Sequence, residues 1–436
     1  HLMKKLSRRY FVAQGLAGFA GLVACSEADS SKGSGGGQSG SGGAGGHAGS
    51  GSAGGSGGAA GSGTGGTGGF AQGPELESLI GDIGPLGDAD ANGVRLPAGF
   101  TSRIVARSLK PPVASSDYVW HPAPDGGATY LLEDGGWIYV SNSEIPFNGG
   151  VSALRFDIQG NVVDAYRILE QSSVNCAGGP TPWGTWLSCE EIAKGAVWEC
   201  YPRGDKPAEK RPALGVFKHE AVAVEPVNQH LYLTEDESDG RLYRYVPNSL
   251  TESGRADLSA GKLQVAKVDA QNQVTWLDVP DPEFSSATPT RSQVPDSTAF
   301  RGGEGIYHHN GVIYFSTKGD NRIWAYDVKS ESIKVLYDAA THQTPILTGV
   351  DNVIVSASGD VLVAEDGGDM EVCAILPDGS IKALLQVEGH LESEITGLAF
   401  DPSGTRLYFS SQRGPSKNSD DGYTFEVSGP FHRAKT

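Results

Sequence analysis

The sequence predicts an all-β fold, a β-propeller of about six blades, over residues 74–436. Three observations carry this expectation. Short β-branched and aromatic runs follow one another with no long helical period. Turn signals separate them at close intervals. A hairpin unit with acidic residues at its open end recurs along the chain.

The strands read off in order from Gly126. Trp137–Ser141, Val151–Phe156 and Gly184–Ser188 come first, then Ala221–Val224, His230–Thr234 and Leu242–Val246. Gly311–Ser316, Arg322–Tyr326, Asp360–Ala364, Leu398–Phe400 and Arg406–Ser410 complete the set. Asp157-Ile-Gln-Gly, Asn310-Gly311, Pro377-Asp-Gly and Pro402-Ser-Gly punctuate them as turns. Only Ile168–Ser173 and Thr341–Leu347 read as short helices.

The repeating unit is an acid, an apolar strand, a turn, a second strand and a further polar residue. Glu220 precedes one such hairpin and Glu235-Asp236 follow it; Asp351 and Glu365-Asp366 bracket another. Glu304 and Glu394 open two more, closed by Thr317-Lys318 and Gln412-Arg413. In an antiparallel hairpin the residue before the first strand and the residue after the second share one end. Hairpins arranged radially therefore bring all these ends to one mouth of a central channel. At about 55–60 residues per unit, about 360 residues make about six blades, with five or seven also compatible.

Carboxylates gathered at one poorly solvated mouth repel one another, and cations are the usual resolution. Oxygen ligands at this density suit Ca2+, with Fe or Mn where a softer ligand joins. The net charge of −18 argues against nucleic acid as a partner, since nothing would neutralise its phosphates. The acidity alone is equally consistent with solubility.

The N-terminal part reads as an address. Lys4, Lys5, Arg8 and Arg9 precede an apolar stretch, Phe11–Ala24, too short to span a bilayer. Ser7-Arg8-Arg9-Tyr10-Phe11-Val12 matches the twin-arginine export pattern. Leu22-Val23-Ala24-Cys25 fits a lipobox, so residues 1–25 are expected to be a signal peptide and Cys25 a lipid-bearing membrane anchor. Residues 26–73, almost all Gly, Ser, Ala and Thr, are expected to be a disordered tether. The expected location is the periplasm and outer membrane or the cell surface, as a monomer. Cys189 and Cys200 are close enough in sequence to staple a hairpin, or are two small buried residues.

Asn175-Cys-Ala-Gly-Gly-Pro-Thr-Pro-Trp-Gly-Thr-Trp-Leu-Ser-Cys-Glu-Glu191 resembles the signature of the PhoX-type alkaline phosphatase family. Other segments agree in order: Gly149–Asp157, His219-Glu220-Ala221, Leu233–Asp236, Glu304-Gly305, Asp351-Asn352, Ser393–Gly397 and Phe400–Pro415. The resemblance implies a six-bladed propeller with Fe3+ and Ca2+ in its channel, export by the twin-arginine route, and hydrolysis of small-molecule phosphate monoesters. It implies Cys176 as a metal ligand, and a thiolate is soft enough to hold Fe3+ among hard carboxylates. Glu191, Glu220, Glu304 and Glu394 are the leading carboxylate candidates by the same match, followed by Glu190, Asp236, Asp351 and Glu365. Glu144 stands where the family usually carries Asn-His-Glu.

Two departures bear on substrate. The family usually places an arginine two residues before the Glu304 position, and here that residue is Gly302, with Arg301 one further away. The family's proline before Asp351 is Val350. Arg301, Lys318 and Arg413 are the candidates to hold a phosphate oxygen while cations cancel charge on the others. Two other readings remain: a Ca2+-dependent propeller lactonase or phosphotriesterase, which would not need Cys176, and a non-catalytic tethered Ca2+-binding propeller.

Overall fold

The alternating apolar strands form six separate antiparallel sheets, each four or five strands deep. The structure is a computed structural model that describes residues 75–114 and 116–435; the expected signal peptide, Cys25 and tether lie outside the described residues. Among the described residues, helix occurs only as three-residue 3-10 turns. No described helix is long and apolar enough to cross a membrane.

The blades follow one another along the chain. Blade 1 spans Pro124–Leu131 to Val162–Ser172, blade 2 Asn175–Pro180 to Glu209–Lys210, and blade 3 His219–Glu225 to Val274–Asp278. Blade 4 spans Gly303–His309 to Ser332–Asp338, and blade 5 Val350–Val355 to Ile381–Val387. Blade 6 is built from Ile395–Phe400, Arg406–Ser411 and Tyr423–Ser428, and its outermost strand is Thr101–Arg107 from the other end of the domain. That strand closes the ring. Its Arg103 grips Glu426 with a two-point ion pair, Nε to Oε1 at 2.9 Å and a second nitrogen to Oε2 at 2.6 Å. Leu76–Ser78 pairs with His432–Ala434, and Val94–Arg95 caps the edge of blade 5, so the two ends of the domain hold the ring shut together.

The core sits between blades. Ile138, Val140, Trp186 and Cys200 fill the gap between blades 1 and 2, and Leu187, Val222, Leu233 and Tyr243 that between blades 2 and 3. Tyr139, Phe156, Ala399 and Tyr408 join blade 6 back to blade 1. Because each sheet buries both faces, its central strands are apolar on both sides, and simple inside–outside alternation is lost. This explains the two expected helices. Val162–Ser172 is a strand, with Ile168 and Leu169 buried and paired to Gly149–Phe156, so tertiary pairing overrides local preference. The second is not helical: a 3-10 turn, Ala339–Thr341, ends where it was expected to begin, and residues 342–347 are irregular. The four described cysteines are all free. Cys189 lies opposite Val197 and Cys200 opposite Trp186, so the hairpin offers no disulfide between them.

Each innermost strand carries the same irregularity. Its pairing shifts between Pro124 and Gly127, Asn175 and Gly178, His219 and Val222, Gly303 and Ile306, Val350 and Val353, and Thr396 and Ala399. In every case two residues oppose one, a β-bulge that bends the strand and re-aims a side chain. Beyond the bulges lies a cavity of about 550 Å3, lined by apolar residues such as Ala128, Ile306, Val353 and Leu398 together with polar ones such as Thr129, His309 and Asn352.

Candidate metal centre

The first residue in each bulge points at the channel mouth. In blades 1 to 5 these are Asp125, Cys176, Glu220, Glu304 and Asp351. A second position repeats with them. The residue after the last paired one of the second strand is Glu144, Glu191, Asp236, Lys318 or Asp366 in the same five blades. Blade 6 departs from the pattern, with Gly397 in its bulge. A Cβ there would stand 2.6 Å from the Tyr139 hydroxyl and 2.7 Å from the Asp125 carbonyl oxygen, so no ligating side chain fits, and Glu394 supplies the acid from three residues earlier.

These side chains form four overlapping groups whose donor atoms all lie within 4.8 Å of one another. They are Asp125–Glu144–Cys176, Cys176–Glu191–Glu220, Glu220–Glu304–Asp351 and Asp351–Asp366–Glu394. Cys176, Glu220 and Asp351 each belong to two groups, so the donors run as one continuous arc around the mouth.

Burial makes this arrangement costly as it stands. Burial, reinforced by Glu191 and Asp351, pushes the Glu220 carboxyl well above the carboxylate range. Burial and then Glu144 and Glu394 do the same to Asp125; burial outweighs the opposing Lys318 at Glu304. Burial and then Asp125 and Glu220 drive the Cys176 thiol up. The thiol donates to Glu220 Oε1 at 3.0 Å, while Glu220 Oε2 is buried without a hydrogen-bond partner. A buried carboxylate oxygen with no donor, amid like charges, is what a multivalent cation would satisfy. The donor set, eight carboxylates and one thiol, fits hard cations with one softer position beside Cys176.

The arc contains Cys176, Glu191, Glu220, Glu304, Asp351, Glu394 and Glu144 of the residues expected from sequence. It does not contain Glu190, Glu365 or Asp236. Glu190 and Glu365 end their second strands, and pleating turns them into the blade rather than the channel. Glu190 accepts from the backbone N–H groups of Ser173 and Ala196, and Glu365 from those of Thr348 and Glu371. Asp236 faces the mouth but is committed to lysines. Its Oδ2 accepts from Lys218 Nζ at 3.0 Å and Lys318 Nζ at 2.9 Å, and the two hold the carboxyl below its usual range against the effect of burial.

Two donors lie outside the set expected from sequence. Asp366 is the neighbour of the expected Glu365, and strand pleating puts Asp366, not Glu365, at the mouth. Asp125 directly precedes the strand Gly126-Gly-Ala-Thr-Tyr, so the acid-before-strand rule that found Glu220 also covers it. Of the expected phosphate-holding cations, Arg413 lies 3.2 Å from Glu394 and 3.6 Å from Asp366, and Lys318 also pairs with Glu304. Arg301 is exposed and forms no ion pair among the described residues. Gly302 has φ +66°, and a Cβ on it would lie 3.2 Å from Lys318 Cγ, so a side chain at that position would be strained and crowded. His219 is structural: its Nε2 contacts the Gly215 carbonyl at 2.9 Å and its ring stacks on Phe217.

The chain matches the family model described as alkaline phosphatase PhoX over residues 161–207 and 201–323. These segments carry Cys176, Glu191, Glu220, Glu304 and Lys318. No curated protein matches the chain.

Proposed function

Since the chain belongs to the PhoX-type alkaline phosphatase family, we propose that it hydrolyses phosphate monoesters at the acid-lined channel mouth, using Fe3+ and Ca2+. The observation that carries the reading is the arc of nine donors in which Cys176, Glu220 and Asp351 are each shared between adjacent groups. Cys176, Glu191 and Glu220 would hold the softer ion; Asp125 with Glu144, and Asp351 with Glu304, Asp366 and Glu394, would hold the harder ones. Bound there, the cations supply Lewis-acid neutralisation of phosphate charge.

The chain's own residues do the rest. Gln412 Nε2 donates to both Asp125 Oδ2 and Glu144 Oε2 at 2.6 Å, fixing the orientation of two donors at once. Asn142 donates to the carbonyl oxygens of Cys176 and Ala177 at 2.9 and 2.8 Å, pinning the bulge that aims the thiol. Export by the twin-arginine route, with a lipid on Cys25, would place this site outside the cytoplasm on a long tether, where small phosphate esters are the substrates and the protein acts as a monomer.

The test pairs elemental analysis with p-nitrophenyl phosphate turnover before and after chelation. Fe and Ca in the purified protein, activity lost with them and restored on reloading, is the expected result. Activity surviving complete metal removal overturns the proposal.

A further inference from the structure

Blade 2 carries a second cavity, at the end remote from the metal arc. Its strands run alternately away from the mouth and back, so the turn at 181–185 and the loop at 201–206 both lie at the far end. Together with Arg255, from a loop of blade 3, they enclose about 540 Å3. That volume falls within the range of about 300–1,000 Å3 found for small-molecule sites.

The charge in this cavity opposes that of the chain. The protein has a net charge of −18, yet the charged residues lining the cavity are Arg203, Lys206 and Arg255 against Asp205 alone. Internal pairing leaves these groups largely available. The exposed side chains of Arg203 and Asp205 form no hydrogen bond or ion pair among the described residues. Lys206 lies over the Tyr201 ring, its nitrogen 5.1 Å from the ring centre. Arg255 touches Glu199 with one nitrogen at 3.4 Å.

The wall behind them is fixed. Glu199 is 1% exposed and accepts from Trp183 Nε1 and Thr185 Oγ1, both at 2.9 Å. Two nitrogens of Arg211 also donate to it, at 3.0 and 2.6 Å. Arg211 thus balances the buried carboxylate in a two-nitrogen contact, and the charge of Arg255 is left for the cavity. The same carboxylate holds the partly buried Trp183 ring in place against the cavity.

A ligand that matches these groups carries acid groups for the three cations, and guanidinium favours oxygen pairs such as those of a carboxylate. It also donates hydrogen bonds, because Asp205 is an acceptor among those cations. Finally, it lays an apolar face on the Trp183 ring. An inorganic anion lacks the last two properties and a neutral sugar lacks the first. We propose that this cavity is a binding site for an acidic saccharide, separate from the metal centre. Arg203, Lys206 and Arg255 meet its acid groups, Asp205 its hydroxyls, and Trp183 the face of a sugar ring. The site stands independently of the phosphatase reading.

The experiment titrates trigalacturonate, and its uncharged methyl ester, into the full-length protein by calorimetry, metal-loaded and again after chelation. The expected result is saturable binding of trigalacturonate, with the same affinity in both forms of the protein, weakening as salt is added. The methyl ester should bind about tenfold more weakly or worse. Arg203→Ser and Arg255→Gln should each weaken trigalacturonate severalfold, and Arg255→Lys should recover part of the loss. Arg203 has no partner to lose, so its variant tests the site even where an Arg255 variant does not fold.

Absence of saturable binding overturns the proposal, as does equal affinity for the methyl ester. Wild-type affinity in both Arg203→Ser and Arg255→Gln overturns it too. Binding that vanishes on chelation would place the saccharide at the metal mouth and refute a separate site. Tighter binding of adenosine monophosphate than of trigalacturonate to the chelated protein would refute the saccharide assignment.

Discussion

Replacing Glu220 by glutamine should have opposite effects with and without metal. Glu220 is fully buried and belongs to two donor groups. In one of them its oxygen lies within 4.8 Å of both Glu304 and Asp351. At an effective dielectric of about 20, each ionised pair at that distance costs about 3.5 kcal/mol, so the two together cost about 7 kcal/mol. Protonating one carboxyl at pH 8, from an ordinary value of 4.5, costs about 5 kcal/mol and is the cheaper course. The metal-free fold therefore carries a penalty of about 5 kcal/mol at this residue at pH 8, which a neutral amide of the same shape avoids. Metal-free Glu220→Gln should then be more stable than metal-free wild type by about 3–5 kcal/mol in urea at pH 8. The metal-loaded form should lose ions from both groups and fall below metal-loaded wild type. Urea unfolding of chelated and loaded protein, with elemental analysis, reads both signs. A variant less stable than wild type when both are metal-free, or one with its full metal content, would refute the repulsion argument.

Glu144 belongs to one donor group only, so Glu144→Gln should cost part of the metal complement where Glu220→Gln costs more of it, by elemental analysis. Cys176→Ser replaces the single soft donor, and the ratio of iron to calcium in the purified protein should fall at least tenfold. Gly179→Ala would put a Cβ 1.7 Å from the Val222 carbonyl oxygen across the junction of blades 2 and 3. It should destabilise the fold by about 3 kcal/mol or more, against about 1 kcal/mol for Gly184→Ala, where only the φ of +84° opposes it. Glu235 is pushed up to about 7 by burial, which outweighs the Tyr243 hydroxyl and Arg291 beside it. A raised carboxyl favours the fold only while it is protonated, so between pH 4.5 and about 7 this residue should withdraw about 3 kcal/mol of stability as pH rises. Glu235→Gln should flatten that part of the stability–pH curve.

Much of this protein follows from residue order alone. Short β-branched runs and turn residues specify antiparallel hairpins, and acids at both ends of a hairpin must share an edge, so Glu220 meets the blade end beside Asp236 whatever the blade's surroundings. Three things needed the assembled ring. Pleating decides which of two adjacent acids faces the channel, taking Glu365 into blade 5 and leaving Asp366 at the mouth; the side-chain period of 2 is legible in sequence, but its phase is set by the register with Val350. The Ile168 segment became a strand because its partner, Gly149–Phe156, offered an edge that local preference does not register. And Asp236 was lost to the donor set because Lys318, 82 residues away, arrives from the neighbouring blade. Composition and spacing fix which groups exist and roughly where each hairpin ends, since those are local properties. Which charge lies against which is settled by closure of the ring, because at a few ångströms in a poorly solvated mouth one neighbouring ammonium outweighs every local preference.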